Sequence, residues 1–157
     1  LGENSNLTEL YCDWNELTDL DVSKNVNLQK LDISINSITD INLSNNLELT
    51  HFYCRVYCGF TSLDFTSNDK LQTLSITGES LLELSLINHH QLTHLEITYC
   101  PLLESLDLRN GDGMNMLYFS VKNSDNLTCI NVDDPTYFNT NWSLNIDQHV
   151  SFSSICP

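Results

Sequence analysis

The 157-residue sequence predicts a β-rich repeat solenoid with strand-like segments on both sides of each coil, little helix, and a C-terminal cap. Three observations predict it. A template L-x-x-L-x-L-x-x-N recurs along most of the chain at short, nearly constant steps. Within each copy the apolar positions 4 and 6 flank a polar position 5, which is the period of a strand and not of a helix. After Val132 the leucine spacing stops and an aromatic-rich tail replaces it.

The clearest copies are LTELYCDWN (Leu7 to Asn15), LTDLDVSKN (Leu17 to Asn25), LQKLDISIN (Leu28 to Asn36) and ITDINLSNN (Ile38 to Asn46). Looser copies start at Leu49, Phe60, Leu71, Leu81, Leu92, Leu103, Met114 and Leu127, with steps of 10 or 11 residues until a last step of 13. A unit of that length cannot close a coil, since solenoid coils of this kind take roughly 20 to 29 residues. Two units therefore make one coil, and their leucines meet in a shared interior. The asparagines ending the motifs (Asn15, Asn25, Asn36, Asn46, Asn68) fall where the chain turns. There a side-chain amide can pair backbone groups that would otherwise be buried without partners.

LTELYCDWNELTDLDVSKNVN resembles the short 21-residue class of the leucine-rich repeat family, LxxLxLxxNxLxxLDLxxNxx, with Cys12 in the sixth position. The resemblance covers residue 1 to about residue 135. It implies a right-handed solenoid whose LxxLxLxxN strands line a concave, ligand-facing side. It also implies a binding role, without catalysis, of the kind common in secreted and cell-surface bacterial proteins.

The domain reading is repeats over 1–135, in about six coils, with the last motif and cap over 127–157. Leu1 aligns with the sixth position of a motif, so the chain is expected to start in mid-repeat and to be part of a longer protein. The tail supplies Tyr137, Phe138, Trp142, Ile146, Val150 and Phe152 to cover the last open coil, as a solenoid end requires. Its VDD, NW and final Cys-Pro resemble the caps of secreted bacterial repeat proteins.

Stacked strands lie roughly 4.8 Å apart, while a disulfide needs Cα atoms within about 7 Å. Cys12 and Cys54 share a motif position two coils apart, and Cys58 and Cys100 are similarly separated, so all four are expected to be unpaired. Cys54 is assigned to the core and Cys58 to the following turn, which argues against a redox or metal centre in HFYCRVYCG. Cys129 and Cys156 form the one expected disulfide. It would tie the cap to the last coil and favours an extracellular or cell-surface setting.

The formal net charge is −15, from 21 acidic and 6 basic residues. That disfavours nucleic acid and anionic lipid as partners, because phosphates are bound by Lys and Arg. No apolar run is long enough for membrane insertion. No nucleophile–base pair, glycine-rich phosphate loop or isolated carboxylate pair suggests catalysis.

Registering the motifs turns each side into a grid. On the first-type strands position 5 reads Tyr11, Asp32, Tyr53, Ser75, Glu96, Tyr118, and position 3 reads Glu9, Lys30, His51, Thr73, His94, Met116. Position 8 reads Trp14, Ile35, Val56, Gly78, Tyr99, Val121. The expected binding face is Tyr11, Trp14, His51, Tyr53, Arg55, Tyr57, His94, Glu96, Tyr99 and Tyr118. Exposed aromatics beside polar groups suit a protein ligand, or alternatively a polysaccharide whose sugar rings lie on them. The second-type strands carry a small acidic face. No cofactor is expected; calcium on Asp19, Asp21, Asp40 and Asp64, stabilising a structural spacer, is the alternative to simple solvation. His89, His90 and His94 are expected to form a surface cluster of no special function.

Overall fold

The computed structural model describes residues 2–56, 58–111 and 115–157. The first-type motifs form a six-stranded parallel sheet: β1 (Glu9–Tyr11), β2 (Lys30–Asp32), β3 (His51–Cys54), β4 (Thr73–Thr77), β6 (His94–Thr98) and β8 (Tyr118–Lys122). The second-type motifs form a four-stranded parallel sheet of β5 (Glu83–Ser85), β7 (Ser105–Leu108), β9 (Cys129–Val132) and β10 (Ser151–Ser153). Strands thus occupy both sides from the fourth coil onward. Before β5 the second side is linked to that sheet by the bridge Ser62–Glu83.

Register follows the leucines. Leu10 pairs with Leu31, Leu31 with Phe52, Phe52 with Leu74 and Leu74 with Leu95. Each of these rungs stacks apolar on apolar; Leu31, Phe52, Leu74 and Leu95 are buried interior, and the half-buried Leu10 packs against it. Phe52 of the first sheet meets Phe65 of the second side edge-on, with ring centroids 5.2 Å apart, so the two sides share one core. Burying a side chain of this size contributes about 1.5–3 kcal/mol relative to leaving it in water.

Asparagines do pair the turns. Asn46 Nδ2 donates to the carbonyls of Val22 (3.1 Å) and Asn25 (2.9 Å), and Asn68 Nδ2 to those of Leu43 (3.2 Å) and Asn46 (2.9 Å). One coil further on the slot belongs to His89, which is 2% exposed. Its Nε2 lies 3.1 Å from the Phe65 carbonyl and its Nδ1 3.2 Å from that of Ile87. The expected surface histidine cluster is therefore corrected: His89 is a rung of this ladder, because it stands at motif position 9.

Two further expectations are overturned. The first concerns MNMLYFSVK. β8 pairs Leu95 with Phe119 and Ile97 with Val121, two residues out of step with that alignment. Leu117, the aligned core leucine, is 72% exposed, whereas Met116, Phe119 and Val121 are buried. The motif therefore opens at Met116, and the longer step falls before it, around the turn at Gly111 (φ 78°). Met114, the aligned start, lies outside the described residues. Met116 is core rather than surface, Tyr118 moves from position 5 to position 3, and Asn123 replaces Val121 at position 8.

The second concerns the cysteines. Cys54 and Cys58 form a disulfide, with Cα atoms 5.9 Å apart. The chain reverses at Val56, in the left-handed region at φ 58°, and brings the turn back beside the strand. Comparing like positions in different coils could not detect a pair within one turn. Gly78 packs on that turn: a Cβ there would lie 2.8 Å from the Cys58 carbonyl oxygen. Cys12 and Cys100 are free thiols, and burial raises the pKa of both.

The tail folds into a helix, α1 (Pro135–Trp142), a 3-10 turn (Ser143–Asn145) and β10. Proline opens α1, and the Asp134 side chain caps it by accepting from the amides of Thr136 (2.9 Å) and Tyr137 (3.0 Å). Phe119 of the last first-sheet strand receives Phe138 (5.7 Å), Trp142 (5.9 Å) and Phe152 (5.9 Å). Lys122 donates to the Ile146 carbonyl, and Asp147 accepts from the Ser124 amide at 2.9 Å. Cys129 and Cys156 are bonded as expected.

Candidate binding face

Five of the six first-sheet strands leave their motif through a left-handed residue at position 8: Trp14 (φ 56°), Ile35 (52°), Val56 (58°), Tyr99 (54°) and Asn123 (57°); after β4 that position is Gly78. Such conformations cost L-residues about 1–2 kcal/mol. Hydrogen bonds between coils hold them, among them Trp14 N to Ser34 O (3.0 Å) and Tyr99 N to Lys122 O (3.0 Å). Trp14 and Tyr99 are consequently turned out at the rim, 77% and 63% exposed, in the first and fifth coils. They do not meet. Tyr11 sits at the β1 end, donating to Glu9 at 3.1 Å, and Glu9 pairs with Lys30 at 2.9 Å. Lys30 and Tyr11 together hold the Glu9 carboxyl below its ordinary pKa.

The central strands bring together His51, Tyr53, Arg55, His94, Glu96 and Tyr118. They surround an open depression of about 370 Å³ floored by Thr73 and Ser75 of β4. Arg55 Nε donates to Ser75 Oγ at 2.7 Å, and Ser75 Oγ donates to Glu96 Oε2 at 2.7 Å. Arg55 also lies 3.6 Å from that carboxylate and stacks over the Tyr53 ring at 5.0 Å. One hydrogen-bonded chain thus crosses β3, β4 and β6. Tyr57 lies outside the described residues.

Sequence reasoning missed Ser75, which joins Arg55 to Glu96, and the two threonines that orient the histidines. Thr50 Oγ1 is 2.8 Å from His51 Nδ1, and Thr93 Oγ1 is 2.9 Å from His94 Nδ1. The repeated tripeptide Leu-Thr-His at 49–51 and 92–94 was the available signal. The pKa of His51 is lowered by burial, by Lys30 and by His94.

On the second side, position 5 is a turn-capping column. Asp21 accepts from the Ser23 amide (2.9 Å), Asn42 from Ser44 (3.0 Å), Asp64 from Thr66 (2.9 Å) and Asp107 from Arg109 (3.1 Å). The Ser23 hydroxyl and then its amide lower the pKa of Asp21, the Thr66 amide and then its hydroxyl that of Asp64; for Asp107 the Arg109 side chain does most of it. Asp19 and Asp40 are exposed beside them. Among the described residues no group of three or more His, Cys, Asp or Glu side chains is placed to hold a metal ion.

No protein-family model matches the sequence, and no curated protein does. Among solved structures, the functional domain of InlJ from Listeria monocytogenes, described as including a cysteine ladder, superposes with a TM-score of 0.70. The match has 24% sequence identity and covers 92% of this chain and 39% of that one. The fold is that of the leucine-rich repeat proteins. In this chain Cys12 and Cys54 share a column, but Ile33 stands between them. Among the described residues no helix is long and apolar enough to cross a membrane.

Proposed function

We propose that this chain is a recognition module of a secreted or cell-surface protein, binding a protein ligand through the outward side of its first sheet. One contrast carries the reading. The position-5 acidic and amide groups of the second side, Asp21, Asn42, Asp64 and Asp107, are engaged in capping their own turns. The first-sheet groups are instead held in fixed positions around an open depression, with Tyr118 44% exposed and outside the core. Fixed, exposed aromatic and Arg side chains are what interface hot spots are made of. The reading assigns binding to the chain, not catalysis.

A second reading, adhesion to a polysaccharide, draws on Trp14 and Tyr99, whose rim-mounted rings are open platforms for sugar faces. Probing an extracellular-protein array and a glycan array with the chain and with Tyr53→Ala and Trp14→Ala separates the two. The protein reading expects hits on the protein array that Tyr53→Ala loses. Hits on the glycan array alone, lost in Trp14→Ala, would replace it with the second reading.

A further inference from the structure

Register partners down the position-3 column of the first sheet run His51, Thr73, His94, Tyr118. His94 and Tyr118 stack, with centroids 6.4 Å apart and planes at 20°. Stacking between partners on adjacent strands sets the imidazole plane across the solenoid axis. The other face of His94 therefore turns toward Thr73, which is too small to cover it, and beyond Thr73 stands His51. Two strand spacings separate the histidines, roughly 9.6 Å. A guest ring midway would lie about 4.8 Å from each, within the range at which aromatic rings pair. The column has a gap of one ring, and the depression over β4 is that gap.

The hydrogen bonds fix what the walls present. Thr50 Oγ1 donates to the Gln29 carbonyl at 2.9 Å, so it accepts from His51 Nδ1–H. Thr93 repeats this with the Gln72 carbonyl (3.3 Å) and His94. Each neutral ring is thereby assigned the Nδ1–H tautomer, leaving Nε2 as a bare acceptor. Among the described residues that line the depression, the cation is Arg55, and it is balanced by Glu96. The gap therefore suits an uncharged planar ring with a donor on its edge, which describes the phenol of Tyr and the indole of Trp.

We propose that the gap above Thr73 is a socket for one Tyr or Trp side chain of a protein partner. This rests on the first sheet being the recognition side.

The test uses N-acetyl-tryptophanamide and N-acetyl-tyrosinamide as probes, with N-acetyl-leucinamide and methyl glucoside as comparisons, read by the imidazole nitrogen NMR signals. The aromatic amides are expected to shift the signals of His51 and His94, with a dissociation constant of order 1 mM. Thr73→Trp, which fills the gap from within, should abolish the shifts, and His94→Ala should weaken binding about tenfold. The proposal is overturned if the aromatic amides shift neither histidine, if Thr73→Trp responds like the wild type, or if methyl glucoside alone is active. On the protein array, binding retained by Thr73→Trp but lost by Tyr53→Ala rejects the socket and keeps the face. Binding retained by both rejects the face as well.

Discussion

Asn68 donates through its Nδ2 to the carbonyl of Asn46 at 2.9 Å, one coil away, and to that of Leu43 at 3.2 Å. A single side chain thus pairs two carbonyls in the interior of the turn stack. Each carbonyl also accepts from a backbone amide, Asn46 O from Leu49 N and Leu43 O from Asn46 N, both at 3.0 Å, so replacing Asn68 with Ala removes one of two hydrogen bonds at each, a net loss of about 0.5–1.5 kcal/mol apiece. Asn68→Ala is therefore expected to lower unfolding free energy by about 1–3 kcal/mol in urea titration. A loss below the effect of a surface substitution would remove the ladder from the account.

His89 takes the equivalent place one coil on, against the Phe65 carbonyl. His89→Asn restores the ladder residue and should leave the melting temperature unchanged or raised. His89→Ala should lower it, since the polar contact of the ring with the turn of the preceding coil is lost and its buried volume is left empty. Equal effects of the two variants would show that the ring is held by packing alone.

The two disulfides should differ in worth. Cys54–Cys58 closes a sequence separation of 4 residues and Cys129–Cys156 one of 27. By loop-closure entropy these correspond to about 2 and about 3.5 kcal/mol. Denaturation of the Cys54→Ser/Cys58→Ser and Cys129→Ser/Cys156→Ser double variants should rank in that order. The cap bond being the weaker would contradict the ranking.

Acid should destabilise the fold in two windows. His51 has a folded pKa below its ordinary 6.5, so protonation favours the unfolded chain. The stability tied to its neutral ring is full above that value and is lost as pH falls through the folded one. Asp107, Asp64 and Asp21 are lowered from 3.8, so their contribution is present above that value and is lost below it. Melting temperatures across pH should show both declines. His51→Gln should flatten the upper one and Asp64→Asn part of the lower, because Asn42 makes the same turn bond without titrating. The same melts with calcium and with EDTA test the calcium-spacer alternative: a rise with calcium that Asp40→Asn abolishes would support it, and superimposable melts would reject it.

How legible was this in the sequence? The leucine columns and the asparagine turns could be read directly, because each is a strict one-dimensional period that stacking preserves. The errors came where the period is interrupted. The longer fifth coil made a two-residue slip invisible to a template, since MNMLYFSVK and the true frame from Met116 both place apolar residues at intervals of three and two. His89 looked like a surface residue because histidine is not the ladder's usual side chain, although its position in the motif was the informative property. Cys58 was compared with its counterparts in other coils, while its partner lay in its own turn. The cluster of His51, Tyr53, His94 and Glu96 was readable from alternation alone. The Arg55–Ser75–Glu96 connection was not, because it depends on side-chain reach across three strands.

The central claim is that recognition belongs to the first sheet and not to the second. The most direct measurement is the affinity for a protein-array hit, compared between two sets of single alanine variants. One set is Tyr53→Ala and Tyr118→Ala on the first sheet; the other is Glu83→Ala and Ser105→Ala on the second, all checked for unchanged melting. The account predicts losses of about tenfold or more for the first set, the scale of an interface hot spot, and near-wild-type affinity for the second. Losses confined to Glu83→Ala and Ser105→Ala would contradict it.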